Sequence, residues 1–312
     1  MEKASSIYVA GHTGLIGSAV LRLLKKMGFK NIIVAPHDQL ELIDSIAVEQ
    51  FFRKYSPQYV VLAAGRVGGI LENSMYPAEM ITSNLSIQLN VLRAAFHAGV
   101  RKTIFFGSSC MYPRDSVQPM PEAALLNGVP EQSSLSYAVA KLAGVQMCLA
   151  FNQQLGEQRF IPIIPNSVYG PNDNFDLTSA HVLAALLRRI HEAHQAGLDR
   201  VTLWGTGKPR REFIHADDVA RACLVLLSHG KSELHLPLNF GLGVDYSIGE
   251  LSEIISEIVG FKGQIEWDHS KPEGASRKLL DCRRAREELG WSASVPLFDG
   301  LVSTYSWFKL NK

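Results

Sequence analysis

Four short runs, Ile7 to Ala10, Asn31 to Ala35, Tyr59 to Ala63 and Lys102 to Phe106, are rich in β-branched and aromatic residues and nearly free of charge. Strands buried on both faces of a parallel sheet read this way. Between them, apolar residues recur at helical spacing over Gly14 to Met27, Ser45 to Lys54 and Asn84 to Ala98. A longer helical pattern, Ser136 to Gly156, leads into a further strand, Arg159 to Pro165. The alternation predicts an α/β fold built on a doubly wound parallel sheet, a Rossmann domain, with ligands at the carboxyl ends of its strands.

From about Asn172 the texture changes. Helices are predicted over Ala180 to Ala196, Ile248 to Val259 and Asp281 to Leu289, with a loop from Trp204 to Arg211. These segments suggest a smaller C-terminal α/β substrate-binding domain. Asn239 to Gly241 looks like a short strand that returns to the main sheet. The division is therefore residues 1–171 for the dinucleotide-binding domain, with returning segments near 212–243, and 172–312 for the smaller, interleaved one.

The 312 residues suffice for one large domain or one and a half ordinary ones, and 46% hydrophobic with 20% charged residues is a soluble globular composition. Thirty-one basic against 30 acidic residues leave a net charge of +1, so no broad field exists to attract nucleic acid or an anionic membrane. No apolar run approaches the roughly 18 residues of a membrane span, and MEKASS does not open like a signal peptide. The expected location is cytoplasmic. Four cysteines, at 110, 148, 223 and 282, lack CxxC spacing and read as free thiols. The histidines show no metal-ligand spacing, and no metal is expected.

Gly11, Gly14 and Gly17 stand between the first strand and the first helix, where a GxxGxxG turn brings backbone against a pyrophosphate at a helix N-terminus. Asp38 and Asp44, near the second strand, either touch the cofactor's ribose or adenine or are exposed turn carboxylates. Tyr137 and Lys141, four apart, share a helix face, and Ser108 arrives from a strand end. Such a trio polarises a carbonyl oxygen for hydride transfer. A lysine charge at ~4 Å favours phenolate by up to ~4 kcal/mol, roughly three pKa units before desolvation subtracts, so Lys141 is expected to bring Tyr137 toward the working range. Cys110, two residues past Ser108 on a segment read as extended, points the same way and can act on the carbon beside that carbonyl.

GHTGLIGS, LAAGRVGGI, GSSCMYP, SYAVAK, YGPNDNF, SAHV, WGTGKPRREFIH and SRKLLD together resemble the GDP-L-fucose synthase family, extended short-chain dehydrogenase/reductases that epimerise a GDP-4-keto-6-deoxy-mannose at C3 and C5 and reduce C4 with NADPH. The resemblance runs from about residue 7 to the end. It implies that Ser108, Tyr137 and Lys141 form the reductase trio, that Cys110 removes a proton beside the ketone, and that His181 returns one from the other face. It also implies that Gly11, Thr13, Gly14, Leu15, Ile16, Gly17, His37, Ala63, Ala64, Tyr137 and Lys141 hold the cofactor. Ser109, Asn166, Arg189, Trp204, Arg211 and Lys278 fall on substrate positions, where guanidinium and ammonium groups suit a diphosphate. A homodimer through the Tyr137 helix and its neighbour Asn84 to Ala98 is a further implication.

Two departures qualify the match. PNSVYG places Ser167 where family members commonly carry asparagine. Thr13 and His37 stand where some relatives place arginines for the 2′-phosphate of NADP, and Arg66 or protonated His37 is a substitute. NADP(H) is expected, with NAD(H) kept open. The competing readings are an enzyme acting on another 4-keto nucleotide-sugar, a dideoxy hexose or a heptose, and a redox-sensing regulator that binds cofactor without turnover, against which the intact trio argues.

Overall fold

The computed structural model describes residues 1–230, 233–271 and 274–311. The chain opens with β1 (Ile7–Ala10), α1 (Leu15–Lys26), β2 (Ile32–Ile33), α2 (Ser45–Tyr55), β3 (Tyr59–Leu62), α3 (Ile70–Met75), α4 (Pro77–His97) and β4 (Lys102–Phe106). It continues through α5 (Leu135–Leu155), β5 (Phe160–Pro165), β6 (Ser167–Tyr169), α6 (Val182–Gln195), β7 (Arg200–Trp204), β8 (Arg210–His215) and α7 (Ala216–Ser228). It closes with β9 (Leu238–Phe240), β10 (Asp245–Ser247), α8 (Ile248–Val259), β11 (Gln264–Asp268), β12 (Arg277–Lys278), α9 (Arg283–Leu289) and α10 (Leu297–Asn311).

Six strands form one parallel sheet in the order β2-β1-β3-β4-β5-β9. Every residue of β1, β3 and β5 is buried, which is why their sequences carry no polar face. Helices α1 and α7 cover one side, joining Val20, Leu24, Val219 and Leu226 to Val9, Val61 and Ile163. Helices α2, α4 and α5 cover the other, where Phe52, Leu92 and Val145 meet Tyr8, Val60 and Phe105. The strand order reverses at β1 and β3, so the switch point of the sheet, where ligands bind in such folds, lies at the ends of these two strands.

The smaller unit has a core of its own, with Leu187 of α6, Ile255 of α8, Leu301 of α10 and Phe213 of β8. Two small sheets support it, β10-β8-β12 with β6 on β8, and the parallel pair β11-β7. β8 belongs to both cores: Phe213 faces the smaller one and Ile214 the larger, by the two-residue alternation of a strand.

Several expectations need correction. β2 is two residues long instead of five. α4 begins at Pro77, two turns before Asn84: proline fits the first helical position, and of residues 77–83 only Met80 is buried, so the first two turns carry no apolar stripe to read. α3, α7 and α10 and the strands of the small sheets were not expected from periodicity. The segment 283–289, assigned by sequence to the smaller domain, packs on the large sheet: Ala285 and Trp291 join its core, Trp291 edge-on to Phe240 at 4.8 Å. The statement about apolar runs also fails for residues Gln132–Leu155, whose best 18-residue window has a mean hydropathy of 1.3. Ala138, Gly144, Val145 and Cys148 bury one side of this helix beside α4 and the sheet, and with 33% of that window buried most of the apolar stretch stays uncovered in the single chain.

Candidate active site

At the end of β1, Gly11 turns the chain with φ of +78°, and a Cβ there would lie 2.7 Å from the amide nitrogen of Ala64. Only glycine permits both the left-handed backbone and that approach to the end of β3. A Cβ on Gly17 would collide with the Gly11 carbonyl. Gly14 caps α1 without a side-chain hydrogen bond, so the first-turn amides keep their donors for an anion. Thr13 is exposed at the lip of the turn, Leu15 and Ile16 pack their side chains into the sheet core behind it, and Ala63 and Ala64 form its floor. This backbone cradle fits a dinucleotide pyrophosphate.

The adenosine end is less well provided. His37 is exposed, with Nε2 2.9 Å from Glu41 Oε2. Arg66, the suggested substitute, pairs with Glu72 at 2.8 Å and stacks on Tyr76. Asp44 is the N-cap of α2, accepting from the amides of Ile46 and Ala47 at 2.9 and 3.1 Å, and so has a structural role; Asp38 is exposed.

β4 delivers Ser108 in an extended conformation, and residues Ser109–Met111 then form a 3-10 turn instead of the extended run expected. The turn still keeps Cys110 beside Ser108, since the Cys110 amide donates to Ser108 Oγ at 3.2 Å. Ser109 itself is buried. Helix α5 presents Tyr137 and, one turn on, Lys141. Burial raises the Tyr137 pKa well above 10, the neighbouring Cys110 thiolate adds to the rise, and a hydrogen bond with Ser108 opposes it. Lys141 does not supply the expected depression. Its Nζ lies 5.8 Å from the centre of the Tyr137 ring and 5.1 Å from that of Phe105, and burial lowers its own pKa to about 8. Tyr137 is thus a protonated phenol, a hydrogen-bond donor beside a serine hydroxyl.

Cys110 is the thiol whose pKa the site holds down. Burial pushes its pKa up, but the charge of Lys278 and hydrogen bonds with Ser108, Ser134 and Lys278 outweigh it, and the net shift is downward. Lys278 Nζ stands 3.7 Å from Cys110 Sγ. For Cys148 and Cys223 burial outweighs an opposing backbone hydrogen bond and raises them far above the ordinary thiol range. His181 caps α6 on the cleft wall, in a segment tied to the β3–α3 loop by the Gly69 amide donating to the Ser179 carbonyl at 2.9 Å. Its pKa is lowered by desolvation among the cleft residues and then by Lys278, with desolvation acting on only part of a ring that stays exposed in the open cleft, so one ammonium acts on both thiol and imidazole. Ser134, which the motifs did not single out, touches the thiol from the turn that leads to Tyr137; among Ser133, Ser134 and Ser136 nothing in sequence marks it.

The other predicted substrate residues separate into two groups. Arg189 stacks on Trp204 at 5.2 Å, with Lys271 on the same ring at 5.7 Å, a cationic and aromatic wall on the smaller unit. Arg211 donates to the Arg210 carbonyl at 2.8 Å and lies near Gly274. Asn166 is different: it is buried, its Nδ2 donates to Glu212 and its Oδ1 accepts from the Ser167 amide at 3.0 Å, so its amide is committed inside the protein. Among the described residues no three His, Cys, Asp or Glu side chains gather as a metal site would.

Comparison with known proteins gives a consistent picture. The model of the NAD dependent epimerase/dehydratase family matches residues 7–249. A probable GDP-L-fucose synthase 1 of Oryza sativa subsp. japonica is 48% identical over 311 residues, 99% of this chain and 94% of that protein. Among solved structures, a GDP-6-OMe-4-keto-L-xylo-heptose reductase from C. jejuni superposes with a TM-score of 0.92 at 34% identity, covering 100% of this chain and 99% of the other. A GDP-L-fucose synthetase from Naegleria fowleri bound to NADP gives a TM-score of 0.91 at 30% identity, covering 100% and 94%.

Proposed function

The chain belongs to the NAD dependent epimerase/dehydratase family, in its GDP-L-fucose synthase branch, and from that premise we propose that it epimerises GDP-4-keto-6-deoxy-D-mannose at C3 and C5 and reduces C4 with NADPH to give GDP-L-fucose. The observation that carries this reading is that Ser108 stands beside both Cys110, whose amide donates to its Oγ at 3.2 Å, and Tyr137, the rise of whose pKa it opposes, so a group suited to proton removal and a group suited to carbonyl polarisation meet at one hydroxyl.

The ketone oxygen at C4 accepts hydrogen bonds from Ser108 and Tyr137. That polarisation acidifies C3 and C5, and Cys110, kept partly as thiolate by Lys278, removes the proton. His181 delivers a proton from the opposite face; its depressed pKa makes the protonated ring a stronger acid. When bound, NADPH supplies the hydride for C4. Tyr137 donates its phenolic proton to the resulting alkoxide, and Lys141 holds the ribose end of the cofactor. The cradle of Gly11, Gly14 and Gly17 holds the pyrophosphate, and Arg189, Arg211 and Trp204 hold the GDP end of the substrate.

NADP(H) in preference to NAD(H) is supported by the NADP-bound relative, whereas Thr13 and His37 offer no strong phosphate grip. Pairing of two chains through α4 and α5 is supported by Leu89 and Val139, exposed apolar residues on these helices, and by the small buried share of the apolar stretch Gln132–Leu155. A cytoplasmic location suits four free thiols.

The test is incubation of the purified protein with GDP-4-keto-6-deoxy-D-mannose and NADPH in D₂O. Two deuterons, at C3 and C5, are expected in the product. Reduction without deuterium leaves a C4 reductase. The heptose-reductase likeness gives a second reading, a 4-keto heptose substrate, and turnover of that sugar in preference to the hexose would establish it.

A further inference from the structure

Glu212 in β8 has no exposed surface. Its carboxylate gathers three N–H donors, the backbone amides of Gly243 at 2.6 Å and Leu280 at 3.0 Å and the side-chain amide of Asn166. A buried carboxylate met by neutral donors is costly to bury and adds little that an apolar side chain would not. Packing alone therefore does not account for it.

The account lies two residues from its contact. Leu280 follows the end of β12, whose last residue is Lys278, and β12 consists only of Arg277 and Lys278 paired to Arg210 and Arg211. Two ladder residues hold a strand weakly. The start of β12 is fixed by Asp245, which bridges Arg210 and Arg277. Its end is fixed by Glu212, directly through the Leu280 amide and through Asn166, whose Nδ2 also reaches the Lys278 carbonyl at 3.4 Å.

We infer that Glu212 is a positioning residue, anchoring the chain beyond β12 so that the Lys278 ammonium stays against the Cys110 sulfur. The catalytic consequence rests on the role proposed above for Cys110; the mechanical one does not. Two effects of removing the carboxylate have opposite signs. Lost through-space repulsion favours the thiolate, whereas a displaced Lys278 disfavours it.

The experiment follows iodoacetamide labelling of Cys110 against pH by peptide mass spectrometry, without substrate, in Glu212→Gln. Glutamine turns one acceptor into a donor facing donors, and the labelling midpoint is expected to rise by about one pH unit. Combined with Lys278→Met, the second substitution is expected to hide the first. Deuterium wash-in at neutral pH is expected to fall about tenfold with KM little changed, following the thiolate fraction. Should Glu212→Gln fail to fold, Glu212→Asp, with the charge retained and the reach shortened, decides by a smaller shift in the same direction. An unchanged or lower midpoint in the folded variant overturns the inference. Absence of wash-in in the unsubstituted protein counts against the substrate reading alone and leaves the labelling result standing.

Discussion

One wall of the cleft is made of backbone and the other of side chains. On the cofactor wall, Gly11 and Gly17 work by having no side chain, and Ser108 and Tyr137 ride on a buried strand and a long helix packed on the main sheet. On the sugar wall, short strands are tied by side chains far apart in sequence, Asn166 to Glu212, Glu212 to Leu280, Lys278 to Cys110. The first wall is stiff and generic, suited to a cofactor that is the same across a family. The second holds a few groups whose charges act on one another, so small changes there redirect chemistry or substrate.

If that division is functional as well as architectural, reduction and epimerisation separate by mutation. Tyr137→Phe removes the proton donor proposed for the reductive step, and NADPH oxidation is expected to fall about 10³-fold, within the usual range for a general acid. Deuterium wash-in should fall only about tenfold, because Ser108 still bonds to the enolate oxygen. Equal losses in the two assays would mean that the walls do not act separately.

The legibility of the sequence follows the same line. The glycine turn, β1, β3 and the Tyr137 helix were readable because each is set by neighbours within a few positions. α4 was only half readable, since of residues 77–83 only Met80 is buried; Asn84 and Gln88 are polar by type yet buried, Asn84 donating to the Arg66 carbonyl and Gln88 to the Ala140 carbonyl. The pair β7 and β11, 64 positions apart in register, leaves no local period to detect. Asn166 had the composition of a substrate contact, and only the fold shows its amide turned to Glu212. Lys141 had the right spacing to act on Tyr137, but spacing carries no information about how deeply both groups are desolvated.

That desolvation sharpens the comparison, because the stiff wall contains a group that weakens it. Lys141 has its pKa lowered from 10.5 to about 8 by burial. Between these values the unfolded chain binds more protons than the folded one, so wild-type stability rises with pH from 8 toward 10.5 and is penalised at neutrality. Lys141→Met should therefore stabilise the cofactor-free protein at pH 7 by about 3 kcal/mol, an order-of-magnitude conversion of that shift. Its melting temperature should exceed the wild type's by several degrees at pH 7, and the gap should close as pH approaches 10. A gap independent of pH would place the gain in packing and remove the electrostatic cost from the account.

The smallest effect concerns the adenosine end of the cofactor wall, where exposed side chains take the place of backbone. His37 is exposed and paired with Glu41 at 2.9 Å, so a carboxylate stands beside the side chain proposed to meet a 2′-phosphate. Glu41→Gln removes the negative charge and frees the imidazole. An exposed pair of this kind contributes about 0.2–1 kcal/mol, so NADPH should bind more tightly by a factor of roughly 1.4 to 5. NADH, without the phosphate, should bind unchanged. Because the groups are solvent-exposed, the gain should shrink as salt is raised from 0.05 to about 0.5 M, where the Debye length falls below 5 Å. Parallel fluorescence titrations with both cofactors read the ratio directly. A common shift for NADPH and NADH would mean that Glu41 acts through loop conformation, and would move phosphate recognition away from His37 toward the backbone of the glycine turn.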